Sequence, residues 1–387
     1  MSRFHAYVKK AVSILEQYKG EQPFSIYCKQ QFAADPRMGS TDRKLVRGYC
    51  FAYYRLGQAF SSLPIEDKLL AAVYVLSPSP NPLVTALRPD WAATPGTTIA
   101  DRIAALPYSF SWKDIFVHDI ELSDTIQKEQ WVISHFTQPD LFIRLRPGRA
   151  EQVLSQLKQS TFSFQSINPS CLSFEAATDL GALDKVNRDY VVQDYSSQQI
   201  GELLALMPAT AVKKVWDCCA ASGGKSILAI DTLPNIQLTV SDVRHTILTQ
   251  LKNRFRQAAV NGYQLFELDL EKDNALPAHF LFDLVIADVP CSGSGTWRRT
   301  PEQLSQFSTE QLEHYVIKQK RILAKLPAAI RKGGYLLYST CSVFKLENEA
   351  QVQAFAATHH FTIVQMKLFN GIEQRADTLF GALLQKN

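Results

Sequence analysis

Short apolar runs recur along the C-terminal half of the chain, and each is bounded by glycine, proline, serine or acidic residues. Runs of this length and composition are typical of strands that are buried on both faces of a sheet. Helical patterns separate most of the runs, and this alternation predicts an α/β fold with a doubly wound, mostly parallel sheet. The runs are 215–217, 238–240, 265–268, 284–287 and 335–338.

The N-terminal part shows a different periodicity. Up to about residue 130, apolar residues recur at helical spacing, so we expect a helical bundle there. The next segment predicts a small α+β unit, with strand patterns at 141–146, 172–174 and 191–193 and a helical pattern at 150–157. We therefore expect three domains, which comprise residues 1–135, 136–200 and 201–387.

The composition indicates a folded globular protein. Of the 387 residues, 46% are hydrophobic and 20% are charged, which excludes a disordered chain. No apolar stretch approaches the roughly 18–20 residues of a membrane span, and the N-terminus lacks the apolar core of a signal peptide. The seven cysteines are scattered, and no Cys/His spacing is typical of a zinc site. We therefore expect a cytoplasmic monomer that holds no metal and contacts no membrane.

Positive charge is concentrated near the N-terminus. Residues 1–57 contain ten Lys/Arg and four Asp/Glu, a net charge of +6, whereas the whole chain carries +4 and the remainder therefore −2. A basic module on a near-neutral body favours a polyanionic partner such as nucleic acid. A solvated helical surface has the same composition, so charge alone leaves both interpretations open.

Two cysteines follow two of the predicted strands. Cys291 lies in Asp288-Val-Pro-Cys-Ser-Gly after the fourth run, and Cys341 lies in Ser339-Thr-Cys-Ser after the fifth. Because functional groups in open α/β sheets stand beyond the carboxyl ends of the strands, both thiols should emerge at one edge, beside Asp288. A thiolate is a strong nucleophile, so this pair near an acid indicates covalent chemistry on an electron-poor carbon.

The first strand of the C-terminal domain runs into a turn of small residues, Asp-Cys-Cys-Ala-Ala-Ser-Gly-Gly-Lys-Ser at 217–226. Small residues at such a turn let a ligand approach the backbone closely. The turn is not a phosphate-binding loop, because Cys219 stands where that motif has its first glycine. Asp242, Asp269 and Asp288 follow the next three strands. One carboxylate per strand end suits the ribose diol, adenine amine and ammonium of S-adenosylmethionine.

These motifs resemble those of a known family. The turn 217–226 is similar to the Asp-x-Cys-Ala-Ala-Pro-Gly-Gly-Lys-Thr loop of the RsmB/Sun RNA 5-methylcytosine methyltransferases. Ser222 and Ser226 replace the usual proline and threonine of that loop. Further segments similar to the family are its fourth motif at 288–301, its sixth at 338–342 with Glu347-Asn348-Glu349, and the segment at 192–198. Residues 39–43 and 54–57 more loosely resemble the NusB-like domain of its bacterial rRNA members.

The resemblance implies a Rossmann-like, class I methyltransferase domain that uses S-adenosylmethionine, preceded by a small α+β RNA-recognition domain and an all-α NusB-like RNA-binding domain. It assigns Cys341 as the nucleophile that attacks carbon 6 of cytosine, Cys291 as the group that releases the product, and Asp288 as a hydrogen-bond partner of the ring. The expected cofactor-binding residues are Cys219, Ala220, Ala221, Ser222, Gly223, Gly224, Lys225, Asp242, Asp269 and Asp288. The expected RNA-binding residues are Arg43, Arg47, Arg298 and Arg299.

Several alternatives stay open. Lys225 would meet either the cofactor carboxylate or the target base, and Arg298 and Arg299 would bind phosphate or hold their loop by salt bridges. Cys291 could instead be a packed small residue. The expected RNA is small-subunit rRNA, followed by tRNA, and a non-catalytic RNA-binding assembly factor is the remaining alternative. A DNA cytosine methyltransferase is disfavoured by the Thr-Cys motif, and an amino-methyltransferase by Val-Pro-Cys in place of Pro-Pro-aromatic.

Overall fold

Helices make up the first of the two units into which the chain divides, as the helical spacing predicted. This unit comprises Met1–Asp119, Gln127–Thr137 and Trp297–Ser308, and the second comprises Ile120–Ile126, Gln138–Thr296 and Thr309–Asn387. The computed structural model describes residues 3–35, 38–92, 98–208, 211–272, 276 and 280–387. None of the helices in those ranges is both long and apolar enough to cross a membrane.

The N-terminal helices are α1 (Arg3–Gln17), α2 (Phe24–Ala33), α3 (Ser40–Arg55), α4 (Ile65–Leu76), α5 (Pro82–Leu87), α6 (Pro89–Ala92), α7 (Ile99–Ala104) and α8 (Lys128–Ser134). In α1 the residues Val8, Ala11 and Ile14 are buried, because their spacing places them on one face. The apolar α4 is buried along most of its length and packs against α1 and α3. Its Lys68 is buried too, where its Nζ donates to the carbonyl oxygen of Gly57 at 2.7 Å. Burial lowers the pKa of Lys68 to about 8.

A small antiparallel sheet begins the second unit. Its elements are β1 (Leu141–Leu145), α9 (Ala150–Lys158), β2 (Gln165–Asn168), β3 (Cys171–Phe174) and β4 (Tyr190–Val192), in the strand order β2-β3-β1-β4. Val153 and Leu157 of α9 pack against apolar residues of β1 and β3. The predicted strands and helix are present. The sequence pattern missed β2 because its exposed, polar residues show no apolar alternation.

The large sheet of the second unit contains the strands β5 (Lys214–Asp217), β6 (Gln237–Asp242), β7 (Gln264–Glu267), β8 (Phe282–Asp288), β9 (Ile330–Thr340), β10 (Phe361–Asn370) and β11 (Thr378–Lys386). Their order in the sheet is β10-β11-β9-β8-β5-β6-β7. The neighbouring strands from β9 to β7 in this order pair in parallel, whereas β11 pairs antiparallel with both β10 and β9. The expected α/β fold is confirmed, and the C-terminal hairpin β10–β11 was not predicted. The remaining helices are α10 (Tyr195–Leu204), α11 (Gly224–Thr232), α12 (His245–Gln257), α13 (Gln303–Gln306), α14 (Thr309–Leu323) and α15 (Glu349–His359).

The chain leaves the second unit between β8 and α14. The segment Trp297–Ser308, which contains α13, belongs to the first unit. Within that unit, the buried carboxylate of Glu302 accepts a hydrogen bond from the backbone N–H of Phe24, at the start of α2. The three-domain division expected from the sequence places this segment in the catalytic domain and stays a prediction.

The turn after β8 packs closely against β11, the last strand in the sequence. The backbone N–H of Gly295 donates to the carbonyl oxygen of Cys341 at 2.8 Å. A Cβ atom at position 295 would overlap the carbonyl oxygen of Thr378, where β11 begins. Only glycine therefore lets the backbone approach this strand.

Replacing Gly295 with alanine is expected to destabilise the protein by about 1–3 kcal/mol, because the backbone of β11 or of the turn must move. Urea unfolding followed by circular dichroism measures the change. The matched control is Gly48→Ala in α3, where an added Cβ meets no atom within 4 Å. That change is expected to stabilise its helix by about 0.5–1 kcal/mol. Wild-type stability in Gly295→Ala would contradict the close packing.

Candidate active site

Two thiols meet at the carboxyl edge of the large sheet. The parallel pairing of β8 with β9 places Asp288 opposite Ser339, so the turns that follow both strands start side by side. Cys291 and Cys341 lie in these turns, with their Sγ atoms 3.4 Å apart. Both residues are partly exposed. The structure thus brings together the two cysteines that the strand pattern placed at one edge.

The surroundings of Cys291 disfavour the ionised form of its thiol. The hydrogen bond with Cys341 and burial together raise the pKa of Cys291 well above its usual value, and the nearby carboxylate of Glu347 adds to the shift. Cys291 is therefore held as a neutral thiol at neutral pH. A neutral thiol can donate a hydrogen bond to the neighbouring sulfur, and it can accept a proton only after it has lost its own.

Asp288 forms an ion pair with the lysine of the small-residue turn. The Nζ atom of Lys225 lies 2.6 Å from Oδ2 of Asp288, and the hydroxyl of Ser339 donates to Oδ1 at 2.9 Å. Burial by itself would lower the pKa of Lys225, but the charge and hydrogen bond of Asp288, together with other nearby groups, raise the pKa overall. Lys225 is therefore a largely buried cation that is directed at Asp288 and lies near Cys341.

The turn between β5 and α11 has a conformation that requires small residues. Gly223 has φ +83°, and a Cβ atom there would lie 2.5 Å from the ring of Phe255. The backbone N–H of Ala220 donates to the carbonyl oxygen of Ser241 in β6 at 2.9 Å. The predicted cofactor residues of this turn, from Cys219 through Gly224, are thus held against the end of β6.

The acidic residues at the strand ends differ in their surroundings. Asp242 accepts hydrogen bonds from the backbone N–H groups of Ala221 and Arg244, each at 3.0 Å. Burial would raise the pKa of Asp242, but these bonds and the Arg244 side chain lower it. Asp269 lies just after β7, is more exposed, and accepts from the backbone N–H of Glu271 at 2.9 Å. Both carboxylates stand at the same sheet edge as the thiols.

Two further acidic residues of this edge were missing from the predicted site. Asp217 ends β5, where Ser226 donates to its Oδ2 at 2.6 Å, and burial raises its pKa to about 7. Its Oδ1 atom has no hydrogen-bond partner among the described residues. The same signal that identified Asp242, an acid at a strand end, could have found it. Glu347 lies beneath the turns that contain Cys291 and Cys341, and nothing in the sequence around it indicated that it would contact both.

The predicted RNA-binding arginines lie in the first unit. Arg43 donates to the carbonyl oxygen of Met38 at 2.8 Å, and it borders a cavity of about 650 Å³ together with the exposed Arg47. Lys29 and Lys44 line the same cavity. Arg298 is 3% exposed, which favours a structural role over phosphate binding for this residue, whereas Arg299 is partly exposed.

Comparison with known proteins shows what the C-terminal half of the chain resembles. The family described as 16S rRNA methyltransferase RsmB/F matches residues 203–380, which include both cysteine turns and the small-residue turn. This part of the chain is similar to that methyltransferase family. A relative from Xanthomonas campestris, named ribosomal RNA small subunit methyltransferase B, is 34% identical over 212 residues. The match covers 51% of this chain and 48% of the relative, so the chain spans about half the length of that protein.

Solved structures resemble more of the chain than the RsmB/F domain alone. The crystal structure of PH0851 aligns with a TM-score of 0.69 at 18% identity and covers 99% of this chain and 98% of the other. The structure of NSun6 from Pyrococcus horikoshii with SFG aligns with a TM-score of 0.57 at 14% identity, over 71% of this chain and 96% of the other. These likenesses show the fold. Across the described ranges, no group of His, Cys, Asp and Glu side chains could hold a metal ion.

Proposed function

We propose that this protein transfers a methyl group from S-adenosylmethionine to carbon 5 of a cytosine in RNA, through a covalent bond between Cys341 and carbon 6. The observation that carries the proposal is the pair of thiols, with Sγ atoms 3.4 Å apart, beside the Lys225–Asp288 ion pair. A site with two thiols, a carboxylate and an ammonium suits nucleophilic catalysis on an electron-poor ring.

The cofactor fits the carboxylates at the strand ends. S-adenosylmethionine supplies an electrophilic methyl group when it is bound. Asp242 would accept from the ribose hydroxyls, as an acid at this strand end does in related folds, and Asp269 from the adenine amine. The Oδ1 atom of the buried Asp217, which finds no hydrogen-bond partner in the described part of the chain, suits a donor such as the cofactor ammonium. The tight backbone at Gly223 lets the ligand approach the turn closely.

The ring must be activated before carbon 5 can take a methyl group. In the proposed reaction the Cys341 thiolate adds to carbon 6, and the electron pair of the C5–C6 double bond moves so that carbon 5 becomes nucleophilic. Asp288 would hydrogen-bond the ring at nitrogen 3 or at the exocyclic amine, and thereby favour electron flow into the ring. Lys225 would hold the Asp288 carboxylate in place and its positive charge would favour the thiolate form of the nucleophile.

Release of the product needs a second group. After methyl transfer the carbon-5 proton must leave, and the bond between sulfur and carbon 6 must break to restore the ring double bond. We assign this release to Cys291, whose raised pKa makes its thiolate a strong base once its own proton has passed to solvent. That thiolate would take the carbon-5 proton, the electron pair of the C–H bond would re-form the ring double bond, and Cys341 would leave as a thiolate.

The proposed substrate is small-subunit rRNA, with tRNA as the second candidate. The name of the Xanthomonas campestris relative favours rRNA, and the basic segment 1–57 suits a polyanion. Carbon 6 is accessible only when the base is unstacked, so the target should lie in a loop or bulge or be flipped out.

Cys341→Ala is expected to abolish methyl transfer, because the proposed reaction depends on the bond between the Cys341 sulfur and carbon 6. The assay follows tritium from labelled S-adenosylmethionine into rRNA, and calorimetry should show unchanged cofactor binding. Cys171→Ala is the matched control, since this thiol is fully buried in the small sheet and should leave the rate near that of the wild type. Robust activity of Cys341→Ala would sink the assignment.

Cys291→Ala is expected to trap the covalent protein–RNA adduct, because Cys341 still attacks while release fails. A denaturing gel of the variant with RNA and cofactor should show a shifted band. The double variant Cys291→Ala/Cys341→Ala is the control and should show none. A single variant without the shifted band would leave Cys291 with no role in release.

Deletion of the gene is expected to remove a 5-methylcytosine from small-subunit rRNA. Bisulfite sequencing of rRNA and tRNA from the deletion strain identifies the nucleotide, and expression of the wild-type chain should restore it. Loss from tRNA alone would favour the second substrate. An unchanged pattern in both RNAs would point to a non-catalytic RNA-binding protein.

A further inference from the structure

A buried carboxylate lies beneath both cysteine turns. Glu347 follows β9 in a short 3-10 turn, Lys345–Glu347, and its side chain is completely buried. Its backbone is fixed as well, because the hydroxyl of Tyr338 donates to the Glu347 carbonyl oxygen at 2.5 Å. A buried carboxylate costs free energy unless hydrogen bonds satisfy it, so its partners show what it stabilises.

Each oxygen of this carboxylate has two donors. Oε2 accepts from the hydroxyls of Ser292 and Ser342, both at 2.5 Å. Oε1 accepts from the backbone N–H of Ser292 at 2.8 Å and from Nε2 of Gln319 at 3.1 Å. Ser292 directly follows Cys291 and Ser342 directly follows Cys341. One side chain therefore joins the residues next to both thiols.

The surrounding contacts reinforce this bridge. Gln319 also donates to the carbonyl oxygen of Pro290 at 3.0 Å, so both residues that flank Cys291 are held. The hydroxyls of Ser294 and Ser342 lie 3.1 Å apart, and the Ser294 hydroxyl accepts from the N–H of Val343 at 2.9 Å. The turn after β8 and the turn after β9 are thus tied below the thiols.

We propose that Glu347 is a positioning residue that sets the spacing and direction of the Cys291 and Cys341 thiols for attack and release. The inference rests on the proposed function, because it concerns the two thiols of that reaction. Glu347 does not touch the reacting atoms and acts through Ser292 and Ser342.

The negative charge of Glu347 also affects the protonation of one of the thiols. Together with the Cys341 hydrogen bond and burial, it raises the pKa of Cys291. Glu347 therefore positions both turns and also favours the neutral form of Cys291 before the reaction.

The chain provides a matched control two residues away. Glu349 is 6% exposed, and its carboxylate accepts from the hydroxyl of Ser123 at 2.9 Å. Ser123 contacts the turn after β9 through its backbone N–H, which donates to the carbonyl oxygen of Val343 at 2.9 Å, and this bond does not involve Glu349. Glu349→Ala therefore removes a buried carboxylate from the same motif without removing the bridge between Ser292 and Ser342.

Glu347→Ala is expected to lower kcat about 100-fold, the cost of a small misplacement of reacting groups, while KM for RNA and for the cofactor stays near the wild-type values. Glu347→Gln keeps the shape and can still bridge the turns, so it should retain more activity. Glu349→Ala should keep a kcat near that of the wild type. All variants are assayed below their measured unfolding midpoints, so that loss of folded protein does not contribute.

A second measurement reports the spacing of the Cys291 and Cys341 thiols independently of methyl transfer. A short bifunctional thiol reagent should link Cys291 to Cys341 in the wild type and in Glu349→Ala, and much more slowly in Glu347→Ala. Peptide mass spectrometry identifies the link, and Cys291→Ala gives the background. Equal kcat values in Glu347→Ala and Glu349→Ala overturn the proposal, and so does a fall in kcat with unchanged cross-linking. A wild-type chain that cross-links but methylates no RNA contradicts the proposed function instead.

Discussion

The hydrogen-bonded register between β8 and β9 is the constraint on which the candidate site depends. Parallel pairing sets Asp288 opposite Ser339, and both strands are buried on their two faces. A slip of one residue would exchange the side chains that pack on the two faces and would misalign the turns that leave the strands. The turns that leave these strands start level with each other, and the two thiols meet for that reason.

Hydroxyl groups satisfy the carboxylates of this edge, of which Asp217 and Glu347 are buried. Asp217 is satisfied in part by Ser226, Asp288 by Ser339, and Glu347 by two serines. Burying a carboxylate without donors would cost several kcal/mol, roughly, so these short side chains are required rather than incidental. This explains why serine at 226 can replace the threonine of the related loop, since both supply the hydroxyl. Ser222, in place of proline, accepts from Arg254 at 3.0 Å.

The segment that follows β8 contributes first to the candidate site and then to the helical unit. Its first part, through Gly295, closes the site by contacting Cys341 and β11, and the following segment Trp297–Ser308 contributes to the helical unit. In that unit the buried Glu302 caps the start of α2. The sequence from Asp288 to Pro301 resembles one catalytic motif, yet part of it serves the packing of helices. Burial of Arg298 follows from this role.

The amino-acid sequence by itself determined the elements and the chemistry of the site. Apolar runs of strand length specify β5 to β9, because burial on both faces of a sheet requires them, and the motifs specify which strand ends carry thiols, acids and small residues. Local patterns could not identify the polar edge strand β2, or the pairing of the hairpin β10–β11 with β9, since pairing partners are far apart in sequence. Only the tertiary structure decided that Lys225 pairs with Asp288, that Asp217 is buried with one oxygen lacking a partner among the described residues, and that Glu347 joins the two cysteine turns. These contacts depend on which strands become neighbours and in which register. Neighbouring strands are far apart in sequence, so local sequence patterns do not show which of them will pair.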